Sequence, residues 1–234
     1  MESTSINVKD ALLELADPER AVLVARFFKT GPGQYGEGDQ FMGLSMPQQH
    51  IIAKQHARLP LHETELLVHD AFHECRMVGL LIWVNQNRKA AAAQQELILE
   101  RYLANRYYIN NWDLVDATSP HILGAHLVRG DRSILYNLAG EDHLWSQRIA
   151  IVSTLALIRQ NQFSDTFAVA EQLLFHKHDL IHKAIGWMLR EVGKRNPDAL
   201  EEFLHDHVRQ LPRTALRYAI ERFQQVRRRY YLEL

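Results

Sequence analysis

The most constraining feature of this chain is a repeat. Four amphipathic segments, HECRMVGLLIWV (73–84), LWSQRIAIVSTLALI (144–158), LIHKAIGWMLREVG (180–193) and LPRTALRYAIERF (211–223), carry a basic residue near the start. Setting Arg76, Arg148, Lys183 and Arg217 in register gives gaps of 72, 35 and 34 residues. The first gap is two periods of 36, and its midpoint is Trp112. A period of that length built from helices is the signature of stacked helical hairpins, each of which buries its apolar face only against its neighbours. The expectation is an all-α, HEAT-like α-solenoid in which the second helix of each pair lines a concave face. Equivalent positions then form one row, Arg76, Trp112, Arg148, Lys183 and Arg217. Positions one turn later form a second, Leu80, Asp116, Val152, Trp187 and Glu221.

Local patterning supports the all-α reading. Apolar residues recur at helical spacing, as in Ala11, Leu12 and Leu15, in Val22, Leu23, Ala25 and Phe27, and in Leu97, Ile98, Tyr102 and Leu103. Strand-like alternation is missing. Asp17-Pro18, Met46-Pro47 and Asn196-Pro197 mark helix starts, where proline loses no needed N–H. With 47% apolar residues over 234 positions, the whole of 1–234 is expected to form a single domain.

Charge is less informative overall than locally. Lys and Arg total 27 against 28 Asp and Glu, which gives no global argument for nucleic acid. Between Arg209 and Arg229, however, seven arginines face one acid, Glu221. Such an end suits a polyanion or a solvated helix face equally well. The single cysteine, Cys75, excludes an intrachain disulfide and a cysteine-rich zinc site; a small buried filler is its simplest role. The opening MESTSINVKD has neither a basic start nor an apolar core, and the longest apolar run, Met77 to Val84, cannot span a bilayer. A soluble, cytoplasmic protein without a membrane partner is expected.

The two rows suggest a chemistry. Cations along a curved wall can engage the phosphates of a duplex without reading its sequence. A carboxylate among them needs its own reason. Breaking an N-glycosidic bond drives the sugar towards an oxocarbenium ion, as in O-glycoside hydrolysis, and Asp116 is suited to stabilise that cation and hold the attacking water. Tryptophan faces attract cationic groups, so Trp112 and Trp187 suit a charged lesion and its sugar. A base that is already cationic, such as an N3- or N7-alkylated purine, leaves without a general acid. On the residues alone, capping or surface solvation is the simpler account of Asp116, and a first-turn dipole partner that of Asp113.

Five segments then carry a resemblance across essentially the whole chain: RFFKTGPGQYGEGDQFMG (26–43), HECRMVGLLIWV (73–84), NNWDLVD (110–116), LWSQRIAIV (144–152) and IHKAIGWMLREVGKRNP (181–197). In this order they resemble the AlkD-type bacterial DNA alkylation-repair glycosylases, HEAT-like proteins that remove positively charged alkylpurines. The resemblance implies that Trp112 and Trp187 contact the lesion-bearing sugar, that Asp116 is the catalytic aspartate, and that Arg148 contacts a phosphate. Lys183, Arg190, Arg213 and Arg217 are further backbone-contact candidates, with Lys29 and Tyr35 from the glycine-rich segment. It also implies double-stranded DNA carrying 3-methyladenine or 7-methylguanine as substrate, no base flipping, no metal or cofactor, and a monomer working at the bacterial nucleoid. Where family members often have an aromatic residue before the position of Trp112, this chain has Asn111.

Two signals are set aside. KTGPGQYGEGDQF lacks the Gly-Lys-Ser/Thr ending of a phosphate loop and reads as a flexible connector with several positive-φ positions. His69 with His73, and His178 with His182, have zinc-like spacing, but HDAFH and HDLIH lack a metalloprotease glutamate and a third ligand, so capping or solvated histidines are expected. Two other classes stay open: a non-catalytic HEAT-like protein binding distorted or branched DNA, and a protein-interaction scaffold.

Overall fold

A computed structural model describes residues 4–234, so the first three residues of the MESTSINVKD opening lie outside it. Every regular element among the described residues is helical; a lone parallel bridge joins Gln40 to Phe72. The all-α expectation therefore holds. The chain divides into two compact units, one running to Ile122 and the other from Leu123 to Leu234.

The first unit contains α1 (Ser5–Leu13), α2 (Pro18–Phe27), α3 (Met46–Gln55), α4 (Leu61–Val68), α5 (His73–Asn87), α6 (Ala92–Ala104), a 3-10 turn at Arg106–Tyr108, and α7 (Trp112–Thr118). Its hub is α5, against which α1, α3, α4, α6 and α7 pack. Only Asn85 and Gln86 of α5 escape burial, because a helix surrounded on all sides has no solvent face to fill with charge. Cys75 and Trp83 are fully buried there, and the cysteine is the apolar filler expected of it.

The second unit contains α8 (Leu123–Leu127), α9 (Ser133–Gly140), α10 (Leu144–Ser153), α11 (Leu155–Ile158), α12 (Ser164–Gln172), α13 (Asp179–Arg195), α14 (Pro197–His207), α15 (Arg213–Ala219) and α16 (Gln225–Glu233). Its hub is α13, packed on α10, α14 and α15. The approach of α13 to α15 depends on Gly186: a Cβ there would lie 2.5 Å from the Ala215 carbonyl oxygen and 2.5 Å from the Tyr218 Cβ. No helix among the described residues is long and apolar enough to cross a membrane.

The proline signals mark real starts. Asp17 caps α2 by accepting from Arg20 N at 3.0 Å, and Asn196 caps α14 by accepting from Ala199 N at 3.1 Å. At α3, Ser45 and Gln48 form a capping box around Pro47. The periodicity marks a helix at α2, as read, yet that helix buries none of its residues. Val22, Leu23 and Phe27 are exposed, since helical spacing reports a shared face and not what covers it.

The two rows also need correction. Leu80 and Val152 are wholly buried core residues, and Arg76 is buried too. Period alone cannot separate a helix face that lines a wall from one that fills the core.

Candidate active site

In the first unit, Trp112 is the first residue of α7 and Asp116 lies one turn later; both are half-buried. Asn111 caps the helix, its Oδ1 accepting from Trp112 N at 2.8 Å. Asn111 is itself completely buried, so a compact capping side chain fills the position directly before the tryptophan. Asp113 occupies the first turn as expected, with Oδ1 accepting from Leu114 N at 2.8 Å. At the other end of α7, Thr118 Oγ1 donates to the Leu114 carbonyl and pairs with the Tyr102 hydroxyl at 3.0 Å. Burial pushes the Tyr102 hydroxyl well above its ordinary pKa, and the nearby negative charge of Asp116 adds to that shift.

Beneath Trp112 lies an arrangement that no local motif announced. His73, at the start of α5, is 2% exposed and has a carboxylate at each ring nitrogen. Nε2 stands 2.8 Å from Asp113 Oδ2, and Nδ1 3.1 Å from Asp39 Oδ2. Asp39 also receives the Arg76 guanidinium and, at 3.4 Å, the Asn111 amide. Two carboxylates thus meet two cations, a balance that a dry site requires. Burial opposes charge on His73, but the charge and hydrogen bond of Asp113, with the hydrogen bond to Asp39, raise its pKa to about 9. Burial likewise disfavours ionised Asp39, yet His73 and Arg76 hold that carboxyl below its ordinary pKa.

Aromatic rings complete the support. The His73 ring stacks on Phe41 at 4.7 Å and lies 5.1 Å from Phe28, which in turn stacks on Trp112 at 5.2 Å. Phe27 sets its edge to Trp112 at 5.9 Å and is exposed. Of the four tryptophans, Trp83 and Trp145 are core, whereas Trp112 and Trp187 retain surface.

The HECR motif also fastens the glycine-rich segment. Glu74, 1% exposed, accepts from Met42 N at 3.0 Å, Gly43 N at 2.8 Å and Leu44 N at 3.2 Å. Gly43 has φ of 90°, and a Cβ on it would lie 2.2 Å from the Asp17 carbonyl oxygen, so only glycine fits. His73 N donates to the Gln40 carbonyl at 2.8 Å, and Arg76 bonds the Asp70 and Ala71 carbonyls at 3.0 and 3.1 Å. The connector is therefore clamped at its end. Within it, Gly33 and Gly38 take positive φ as the sequence implied, as does Lys29 at 54°. Lys29 is exposed and Tyr35 half-buried.

In the second unit, Arg148 is 4% exposed on α10 and donates to the Leu180 carbonyl in the first turn of α13. Lys183 pairs with Asp179 at 2.8 Å. Trp187, half-buried on α13, donates from Nε1 to Glu191 Oε1 at 3.2 Å, and Lys194 reaches the same oxygen at 2.6 Å. Arg190 pairs with Glu221. Arg213 and Arg217 are exposed, and Arg213 donates to the Leu232 carbonyl at 2.7 Å. Glu191 was the residue missed here; its signal was the i, i+4 spacing from Trp187.

The histidine pairs are occupied otherwise. His69 bonds Asn105, His178 caps α13 by accepting from Leu180 N at 3.1 Å, and His182 bonds the His176 carbonyl. Among the described residues, no three His, Cys, Asp or Glu side chains come together as a metal site.

No curated protein matches the chain. A solved structure described as a predicted DNA alkylation repair enzyme from Enterococcus faecalis is similar over 90% of this chain and 97% of its own, with 21% identity and a TM-score of 0.72. At that identity the likeness speaks for the fold. A family model described as DNA alkylation repair enzyme matches residues 8–223, and the chain belongs to that family.

Proposed function

We propose that this protein, acting as one glycosylase domain, hydrolyses the N-glycosidic bond of positively charged N3- and N7-alkylated purines in double-stranded DNA and so initiates base excision repair. The observation that carries the reading is the pair on α7: a half-buried tryptophan and a half-buried aspartate one turn apart, on a helix seven residues long. The carboxylate shares that helix face with an aromatic ring stacked on Phe28 and edged by Phe27, the pairing that a developing sugar cation calls for.

In the proposed reaction the Asp116 carboxylate faces the sugar as positive charge develops at C1′, orients the water that adds there and takes up the proton which that water loses. Trp112 packs against the deoxyribose and attracts its growing charge. The base departs as a neutral purine because alkylation has already made it cationic, so no acid is required and the base is not flipped into a pocket. Trp187 contributes a second aromatic contact to the lesion-bearing strand. Lys183, Arg190, Arg213 and Arg217 engage phosphates, with Lys29 and Tyr35 approaching the backbone from the glycine-rich segment; Arg148, buried and bonded to the Leu180 carbonyl, reaches a phosphate only by giving up that bond. Acidic partners already hold Lys183 and Arg190, so their contribution to binding requires exchange of Asp179 and Glu221 for phosphate.

Release of 7-methylguanine and 3-methyladenine from methylated duplex DNA tests the reading. Asp116→Asn is expected to lower the single-turnover rate by about 100-fold or more, as removal of one charge-stabilising group does elsewhere, while duplex affinity persists. DNA binding without release by the native protein would instead favour a non-catalytic reader of distorted DNA.

A further inference from the structure

We propose that His73, held as an imidazolium between Asp39 and Asp113, is a positioning residue that sets the orientation of the Trp112 and Asp116 face of α7. The inference rests on the glycosylase reading for its chemical consequence, but not for its structural content.

Two independent paths run from the His73 ring to Trp112. One is polar: Nε2 grips Asp113 Oδ2 at 2.8 Å, and Asp113 is the residue after Trp112 in the first turn of α7. The other is apolar: the imidazole lies 5.1 Å from Phe28, whose ring stacks on Trp112 at 5.2 Å with 28° between planes. A short helix with one buried face has few contacts of its own to fix its roll about its axis. Here the roll is fixed from outside.

Charge state matters because both ring nitrogens face carboxylate oxygens. A neutral imidazole has one N–H and one lone pair, so it can satisfy one carboxylate only while opposing the other. The doubly protonated ring donates to both. The charged groups around it are Asp113 from α7, Asp39 from the segment before α3, and Arg76 from its own helix; Glu74 points away to the Met42, Gly43 and Leu44 amides. Loss of the proton leaves Asp39 and Asp113 sharing one N–H, and α7 is released on one side. The raised pKa of His73, about 9, puts this event above neutral pH.

The test is 19F NMR of the full protein labelled with 5-fluorotryptophan, the Trp112 resonance being assigned with Trp112→Phe. In the native protein that resonance is expected to titrate near pH 9. In His73→Gln it should be displaced at neutral pH and flat through the same range. Asp113→Asn keeps an acceptor for His73 but removes the charge that raises its pKa, so the titration should move to lower pH; this variant serves if His73→Gln does not fold. A Trp112 resonance that ignores pH near 9 in the native protein, or keeps its midpoint in Asp113→Asn, overturns the proposal.

Release assays on the same proteins separate the two readings. His73→Gln is expected to slow single-turnover release by about tenfold to a hundredfold, the scale of a small misplacement, with unchanged duplex affinity. If Asp116→Asn abolishes release while His73→Gln retains the native rate and pH profile, the positioning role fails and the glycosylase reading stands. If no protein releases base but the Trp112 resonance titrates as described, the glycosylase reading fails and the positioning role stands.

Discussion

Trp112 and Trp187 are held in opposite ways. Trp187 sits in the middle of α13, seventeen residues long and the hub of its unit, where Ile181, Ala184, Ile185, Met188, Leu189 and Val192 anchor the buried face. Its indole needs only one further contact, to Glu191 on the next turn. Trp112 opens a helix of seven residues. It relies on groups outside its helix: Asp39, His73 and Phe28 from earlier in the chain, and the buried Asn111 that caps it. A long helix positions a side chain through its own regularity, whereas a short one must borrow rigidity from a charged and aromatic bed.

That contrast can be broken most forcefully at Glu74. Replacing it with Ala leaves three buried backbone N–H groups without an acceptor and frees the segment that delivers Asp39. A loss of about 3 kcal/mol or more is expected, at about 1–3 kcal/mol for each buried N–H left unsatisfied, and the melting temperature followed by circular dichroism should fall by roughly 10 °C. A smaller, graded effect comes from pH. The folded-state pKa of His73 is raised to about 9, so its contribution to stability is complete below the ordinary histidine value of 6.5 and is lost as pH rises towards about 9. Denaturant midpoints between pH 6 and 10 should decline across that window, and His73→Gln should flatten the decline. The smallest effect belongs to Glu191→Gln, which keeps an acceptor for Trp187. Stability should change by no more than about 0.5 kcal/mol, as for a partly exposed pair, and a drop comparable to that of Glu74→Ala would erase the distinction between the two tryptophans.

What the sequence disclosed follows the same division. Features written locally were legible: proline and capping residues at 17–18 and 196–197, positive φ at Gly33 and Gly38, and the one-turn spacing of Trp112 and Asp116. Helical periodicity disclosed the class of the fold. It did not disclose the bed under Trp112, because Asp39, His73 and Asp113 are separated by 34 and 40 positions and no short motif joins them. Nor could it tell that Arg76 is committed to Asp39 and that Arg148 is buried against α13, since a cation at a given helical phase reads alike on a wall and in a core. Nor does helical spacing tell that the apolar face of α2 is exposed.

The balanced cluster of Asp39, His73, Arg76 and Asp113 also bears on how the protein responds to ionic strength. Mobile ions screen charges that they can approach, and the side chains of Asp39, His73 and Arg76 lie almost entirely out of reach, with Asp113 only 16% exposed. Exposed arginines such as Arg213 and Arg217 have no such shelter, and any grip they take on a polyanion weakens as salt displaces it. In the proposed reaction salt would therefore act on capture more than on the geometry beneath Trp112: occupancy of the duplex becomes adjustable by the surrounding electrolyte, while the competence of each molecule once bound does not.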